Sequence, residues 1–218
     1  MSEYEDRHSK ADPVELISNP DEKARREAEN GVRQFKAAVE VIRENIQRGQ
    51  ESFRLTQAII LDLHQKALDG IHPLAGTYRN SPVSIGQSKH NPPHHREVAD
   101  YVAEMCGYVN QNWRDRSAIH LSAYLLWRMN WIHPFADGNG RTARIVSYLA
   151  LSIKLNSLLP GTPTIPDQIA ADKRPYYEAL EHADDLQKAG LVSLSSMEGM
   201  LEAMLAKQLL SATEEAGI

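Results

Sequence analysis

The chain has 218 residues, 42% of them hydrophobic, a formal net charge of −5 and a single cysteine, Cys106. That length and apolar content suffice for one domain with a sizeable core, the mild negative charge gives no basis for nucleic-acid binding, and one cysteine excludes an internal disulfide framework. No apolar run approaches the roughly 18 residues of a membrane span and the polar N-terminus carries no secretory leader, so a soluble, cytoplasmic protein with no membrane partner is the expectation.

Residues 1–20 are polar, contain Pro13 and Pro20, and read as a loose N-terminal arm. Residues 21–50 predict an N-terminal helix from Asp21 to Arg48: Ala24, Ala28, Val32, Phe35, Val39, Ile42 and Ile46 recur at helical spacing, acidic residues lead and Gly49 follows. Glu29-Asn30-Gly31 interrupts that helix with weak helix formers. Residues 51–69 predict a second helix carrying Leu55, Ile59, Ile60, Leu63 and Leu68. From His72 to Pro93 the helical period vanishes. Gly76 to Arg79 and Pro82 to Ile85 suit the two strands of a short hairpin turning at Asn80-Ser81, which would need the helices to pack on. His94 to Trp113 returns to helix with Val98, Val102, Met105 and Val109 on one side, and Ser117 to Ile132 is apolar on most of its circumference.

The next stretch, His133-Pro134-Phe135-Ala136-Asp137-Gly138-Asn139-Gly140-Arg141-Thr142-Ala143-Arg144, is a polar double-glycine turn held between two core helices. Gly138 and Gly140 permit a tight turn and close ligand approach, and backbone N–H groups converging as the next helix starts attract anions. Arg141 and Arg144 lie three apart on that first turn, where a helix dipole disfavours cations, so a bound phosphate explains them better than helix stability. Asp137 offers one hard oxygen ligand, the kind Mg2+ takes alongside phosphate oxygens and water. His133 is the one group here able to take a proton near neutral pH. Zinc is poorly served, since His133 and Asp137 lack a third ligand nearby.

Thr142 to Leu155 continues as a core helix, and Leu158 to Pro166 breaks the chain with three prolines. Ile169 to Ala189 predicts a helix around Tyr176, Tyr177, Leu180 and Leu186; the tyrosine pair reads as packing, with an adenine contact by one of them as the alternative. Residues 191–218 form a C-terminal helix and tail, Ser195 to Leu210 being helical with Met197, Met200, Leu201, Met204 and Leu205 suited to a core or to subunit contact in a homo-oligomer.

The stretch HPFADGNGRTAR resembles, at every specified position, the motif of the Fic domain family: HPF, any residue, Asp or Glu, GNGR, two residues, Arg. The resemblance implies an all-α fold, a Fic-domain helical bundle with a small β-hairpin flap near the active site, its core covering residues 51–190. It also implies a protein adenylyltransferase that moves AMP from ATP to a Ser, Thr or Tyr hydroxyl of a protein substrate, with Mg2+ as cofactor and pyrophosphate released. His133 would be the general base and Asp137 the metal ligand, with Gly138, Asn139 and Gly140 cradling phosphates. Arg141 and Arg144 would bind the outer phosphates, Arg144 acting with His133 in catalysis by steadying the leaving group. The related Doc toxins replace the second glycine, and Gly140 argues against that variant.

Two further likenesses follow. Gly76, Thr77, Tyr78, Arg79, Val83 and Ile85 resemble the flap that captures a target segment by strand-like backbone pairing. Glu29 and Asn30 match the end of an inhibitory-helix motif, Ser or Thr, three residues, Glu, then Gly or Asn, with Arg25 in the hydroxyl position; Glu29 would pair with Arg144 and block the γ-phosphate. A second register, Ser211 with Glu215, ends on Ala216 and matches no better. Removal of AMP from a modified protein, transfer from another nucleotide, or nucleotide binding in a regulatory protein without turnover remain alternatives.

Overall fold

The computed structural model describes residues 9–10, 16–215 and 217; the rest of the polar arm, and the side chains of Ser9, Lys10 and Glu215, lie outside the described set. The elements are β1 (Ser9–Lys10), α1 (Pro20–Arg48), α2 (Gln57–Leu68), β2 (Ser84–Ile85), α3 (Val98–Gln111), α4 (Ala118–Ile132), α5 (Asn139–Lys154), α6 (Ile165–Ala171), α7 (Arg174–Lys188) and α8 (Ser195–Glu215).

The helices α4 and α5 form the centre. Leu121, Leu125 and Ile132 of α4 and Val146, Leu149 and Ile153 of α5 have no exposed surface, as helices apolar all round require when neighbours cover every face. Ser147 Oγ donates to the Ser122 carbonyl at 2.9 Å across the pair. Around them α1 packs on α2 and α5, α3 on α4, and α7 with α8 on the opposite side of α4.

The buried stripe of α1 is Asn30, Gln34, Ala38 and Ile42, shifted from the stripe the sequence suggested, and Val32 is exposed. The reason is polar. Asn30 Nδ2 donates to the carbonyls of Ala67 and Asp69 (3.3 and 2.8 Å), and Gln34 Nε2 to that of Leu63 (3.1 Å). Asn30 thus satisfies carbonyls at the C-terminal end of α2 that the helix cannot satisfy itself, and Gln34 adds a second donor to a carbonyl within the helix. Two expected helices start later than their apolar content did, at Gln57 behind the capping side chain of Thr56 and at Val98 behind a 3-10 turn over His95–Glu97. The expected helix over 169–189 is two, α6 and α7, parted at Asp172-Lys173 because Pro175 belongs to a first turn.

The expected hairpin is absent. Gly76 to Arg79 is turn and irregular backbone, and β2 has no strand partner within its own segment. Side chains and backbone of the would-be first strand are committed to the helical body: Tyr78 OH donates to Gln57 Oε1 at 2.8 Å, and Arg79 N–H donates to the Pro134 carbonyl at 2.9 Å. β2 pairs antiparallel with β1 instead, Ser9 opposite Ile85 and Lys10 opposite Ser84.

Candidate functional site

A cavity of about 550 Å³ opens where α1, α4, the turn between α4 and α5, and α7 meet. That is the size of a small-ligand pocket. His133, Asp137, Gly138, Asn139, Gly140, Arg141 and Arg144 all line it.

The turn is built from left-handed backbone at both ends. His133 ends α4 at φ 50°, ψ 60°, and Gly138 precedes α5 at φ 76°. At Gly138 a Cβ would lie 2.5 Å from Leu68 Cδ2 and 3.4 Å from the His64 ring, so both conformation and space require glycine. Gly138, the residue before the first turn of α5, offers no capping side chain, and the N-terminal residues of α5 line the cavity, so the partial positive charge of that helix end is turned toward whatever occupies it.

Asn139, expected to cradle phosphate, has a different side-chain role. It is 3% exposed; its Oδ1 accepts from Phe135 N–H (2.9 Å) and its Nδ2 donates to the Phe135 carbonyl (2.7 Å), closing the turn as a paired peptide would. Asp137 Oδ1 accepts from Gly138 N–H, and Oδ2 lies 3.3 Å from Arg141 Nη2 with the side chain 43% exposed. Among the described residues no three carboxylate, imidazole or thiolate groups converge to hold a metal. A single accessible carboxylate suits Mg2+ that arrives with phosphate oxygens and does not suit a cage built of protein alone.

His133 is 4% exposed, and its Nδ1 faces the Asn130 carbonyl at 3.4 Å. Burial pushes its imidazole down to about 3, aided by the nearby Arg79 charge. The ring is neutral, and Nδ1–H directed at Asn130 leaves the lone pair on Nε2.

Several residues that build the site had no role in the sequence reading. His64 of α2 is 2% exposed and stacks on Phe135 at 3.6 Å with the rings 5° apart. Its Nδ1 accepts from Gly76 N–H (3.0 Å), so Nε2 carries the proton and donates to the Asp137 carbonyl (3.0 Å). Burial lowers this imidazole to about 4. Glu27 and Lys23 of α1 line the cavity, Glu27 pairing with Arg141 at 3.4 Å, and Lys173 and Asp184 line it together with Tyr176 and Tyr177, which the sequence had already singled out. The i, i+4 spacing of Lys23 and Glu27 continuing to Asn30 and Gln34 was the available signal. For the tyrosines, Tyr176 is 1% exposed and hydrogen bonded to Asn130, while both rings reach the cavity.

The regulatory and docking residues are placed differently from expectation. Glu29 is exposed, pairs with Arg33 at 3.8 Å and does not line the cavity; Asn30 is the buried tie to α2. α1 does bring a carboxylate to one of the two arginines, but it is Glu27, two positions earlier and about 200° round the helix, and its partner is Arg141 where Arg144 was expected. Of the six flap residues, Ile85 lines the cavity. Val83 is half-buried off it, Thr77 caps its own turn on the Leu74 carbonyl, Gly76 bonds His64, Tyr78 is half-buried against Phe135, and Arg79 is 3% exposed beneath the turn.

Comparison with known proteins agrees with this geometry. Residues 54–151 match the Fic/DOC family. The protein adenylyltransferase Fic of Nematostella vectensis is 30% identical over 141 residues, which cover 62% of this chain and 30% of that protein. The protein of the same name from Drosophila persimilis is 29% identical over 140 residues, covering 62% and 25%. The matched region therefore spans about 25–30% of those relatives' length. Two solved structures share the fold: Fic-1 from C. elegans (TM-score 0.67, 19% identity, 92% of this chain and 54% of that one) and a Fic family protein from Desulfovibrio desulfuricans G20 (0.64, 19%, 93% and 56%).

Proposed function

The chain belongs to the Fic/DOC superfamily, and from that premise we propose that it transfers AMP from ATP to a Ser, Thr or Tyr hydroxyl of a protein. The observation that carries the reading is the convergence in one cavity of a buried neutral imidazole, an accessible carboxylate, two arginines and the N-terminus of α5. That set matches a polyphosphate and a proton acceptor at once.

The target hydroxyl attacks the α-phosphorus, its oxygen bonding to phosphorus while the bond to the bridging oxygen of pyrophosphate breaks. The hydroxyl proton passes to Nε2 of His133. A phosphate chain beside the ring places negative charge where the free chain has Arg79 and burial, so its arrival raises the basicity of His133 as the base is needed. Arg141 and Arg144 with the first turn of α5 balance charge on the departing pyrophosphate. Mg2+, held by Asp137 together with phosphate oxygens, would supply further neutralisation of that charge.

Glu27 competes for Arg141. The restraint expected of Glu29 is thus assigned to Glu27, which must release the guanidinium for it to grip phosphate in full.

The test is transfer from ATP labelled at the α-phosphate, with Mg2+, into an extract and into the chain itself. Label in the wild type that disappears in His133→Ala, while calorimetry shows ATP still bound, supports the reading. Equal labelling in both proteins refutes His133 as base, and ATP binding with no label in either turns the assignment to nucleotide binding without transfer.

A further inference from the structure

Asn130 stands in the last turn of α4, three residues before His133, and lines the cavity. Its backbone carbonyl faces Nδ1 of His133 at 3.4 Å, and its side chain is fixed from two sides: Nδ2 donates to the Leu126 carbonyl one turn back (2.7 Å) and to the Tyr176 hydroxyl on α7. A side-chain amide has two N–H hydrogens and one carbonyl oxygen, so both hydrogens are committed and Oδ1 is the atom left to act. Among the described residues no group donates to Oδ1, and it is not sealed from the cavity that the residue lines. The result is an aimed acceptor between the imidazole and the α7 wall.

A fixed acceptor in that place selects a ligand that brings a hydrogen-bond donor to it, because a polar atom is costly to leave unpaired once a ligand displaces water. The surrounding geometry says which part of a nucleotide that is. Phosphates are drawn to Arg141, Arg144 and the N-terminus of α5, and the α-phosphorus must come within reach of a hydroxyl bonded to His133. Asn130 is only about 4.5 Å of helix rise from His133. The sugar is the part of the nucleotide joined directly to the α-phosphate, whereas the exocyclic amine of the base lies at the far end. We propose that Oδ1 of Asn130 accepts a hydrogen bond from a ribose hydroxyl, so that Asn130 makes this site select ribonucleoside over deoxyribonucleoside triphosphates. Tyr176 is the positioning residue, since its hydroxyl occupies one amide hydrogen and fixes which way Oδ1 points. The contact rests on the nucleotide reading of the cavity above and is independent of transfer.

The experiment measures, by calorimetry with Mg2+, the affinities of ATP, 2′-deoxy-ATP and 3′-deoxy-ATP for the full chain as wild type, Asn130→Leu and Tyr176→Phe, with thermal melts to show that each is folded. In the wild type one of the two deoxy analogues binds at least about fivefold more weakly than ATP, as loss of a hydrogen bond to a fixed acceptor requires. In Asn130→Leu that ratio falls to within about twofold of unity, ATP having lost affinity and the analogue not. Tyr176→Phe keeps Oδ1 but frees the amide to turn, so the ratio falls in the same direction by a smaller factor, and any change in contact with the base cancels in it. A wild type that binds all three nucleotides equally, or an Asn130→Leu protein that weakens all three alike, overturns the proposal. Should Asn130→Leu fail to fold, an unchanged ratio in Tyr176→Phe overturns it alone. Failure of the wild type to bind any of the three removes the nucleotide reading itself, whereas ATP binding without discrimination removes only this contact.

Discussion

The guanidinium of Arg79 donates from Nε to the carbonyl of His133 at 2.8 Å, and from Nη2 to the carbonyls of Pro93 and Ile132 at 2.6 and 3.4 Å. Arg79 is 3% exposed and faces the C-terminal end of α4, where a cation is favoured by the helix dipole and the last carbonyls need donors. It therefore holds the backbone of His133 in its left-handed turn from behind.

Arg79→Met leaves those carbonyls without donors and costs on the order of 2–4 kcal/mol of stability, whereas Arg79→Lys retains the charge but not the fork and loses less. Thermal melts rank the three proteins in that order. In the lysine variant, kcat for AMP transfer falls at least about tenfold while ATP affinity stays within twofold, because His133 is displaced and the phosphate cradle is not. Unchanged kcat in a folded Arg79→Lys protein would show that the contact is packing alone.

Glu27→Gln frees Arg141 from a half-exposed pair worth about 0.5–1 kcal/mol, so calorimetry should record ATP binding roughly two- to fivefold tighter. Glu29→Gln, away from the cavity, leaves ATP affinity at the wild-type value. Tightening by the Glu29 substitution and none by Glu27 would reverse the assignment.

His64 and His133 both titrate lower in the folded chain, near 4 and 3, than the 6.5 of a free imidazole. Between those limits the unfolded chain binds protons that the folded chain refuses, so stability is full above pH 6.5 and falls as pH drops toward 3. The share from His64 is on the order of 3 kcal/mol. His64→Gln should accordingly lose less melting temperature between pH 6.5 and 4.5 than the wild type, and an identical slope in the two proteins would mean that His64 is not held neutral.

Gly138→Ala faces two penalties, a left-handed φ and a Cβ 2.5 Å from Leu68 Cδ2, together roughly 2–4 kcal/mol. Adding Leu68→Ala opens the space without changing φ. ATP binding should be lost in the single variant and only partly regained in the double one; full binding by Gly138→Ala would contradict the cradle.

Much of the fold was legible because helices announce themselves locally. The apolar circumference of α4 and the glycine ending α1 are properties of a few consecutive residues, whereas the start of α2 behind Thr56 was not anticipated. The contiguous stretch from His133 to Arg144 was legible for the same reason, and the seven residues singled out in it, His133, Asp137, Gly138, Asn139, Gly140, Arg141 and Arg144, do line one cavity. The orientation of α1 was not. A 29-residue helix with small apolar residues on several faces leaves its rotation open, and the rotation that exists is selected by Asn30 and Gln34 finding carbonyls in and just beyond α2, 39 and 29 residues away.

That rotation brings Glu27 to Arg141 and leaves Glu29 in solvent. The hairpin failed on similar grounds: turn residues and β-branched side chains favour strands locally, but Arg79 gains more by satisfying helix-end carbonyls than by pairing in a ladder. Sequence alone determined most of the helices and which residues make up the turn from His133 to Arg144, since both depend on neighbours along the chain. Which carboxylate meets the arginines, which histidine locks the turn and which strand covers β2 were decided only by the tertiary structure, because buried polar groups take the partners that packing supplies.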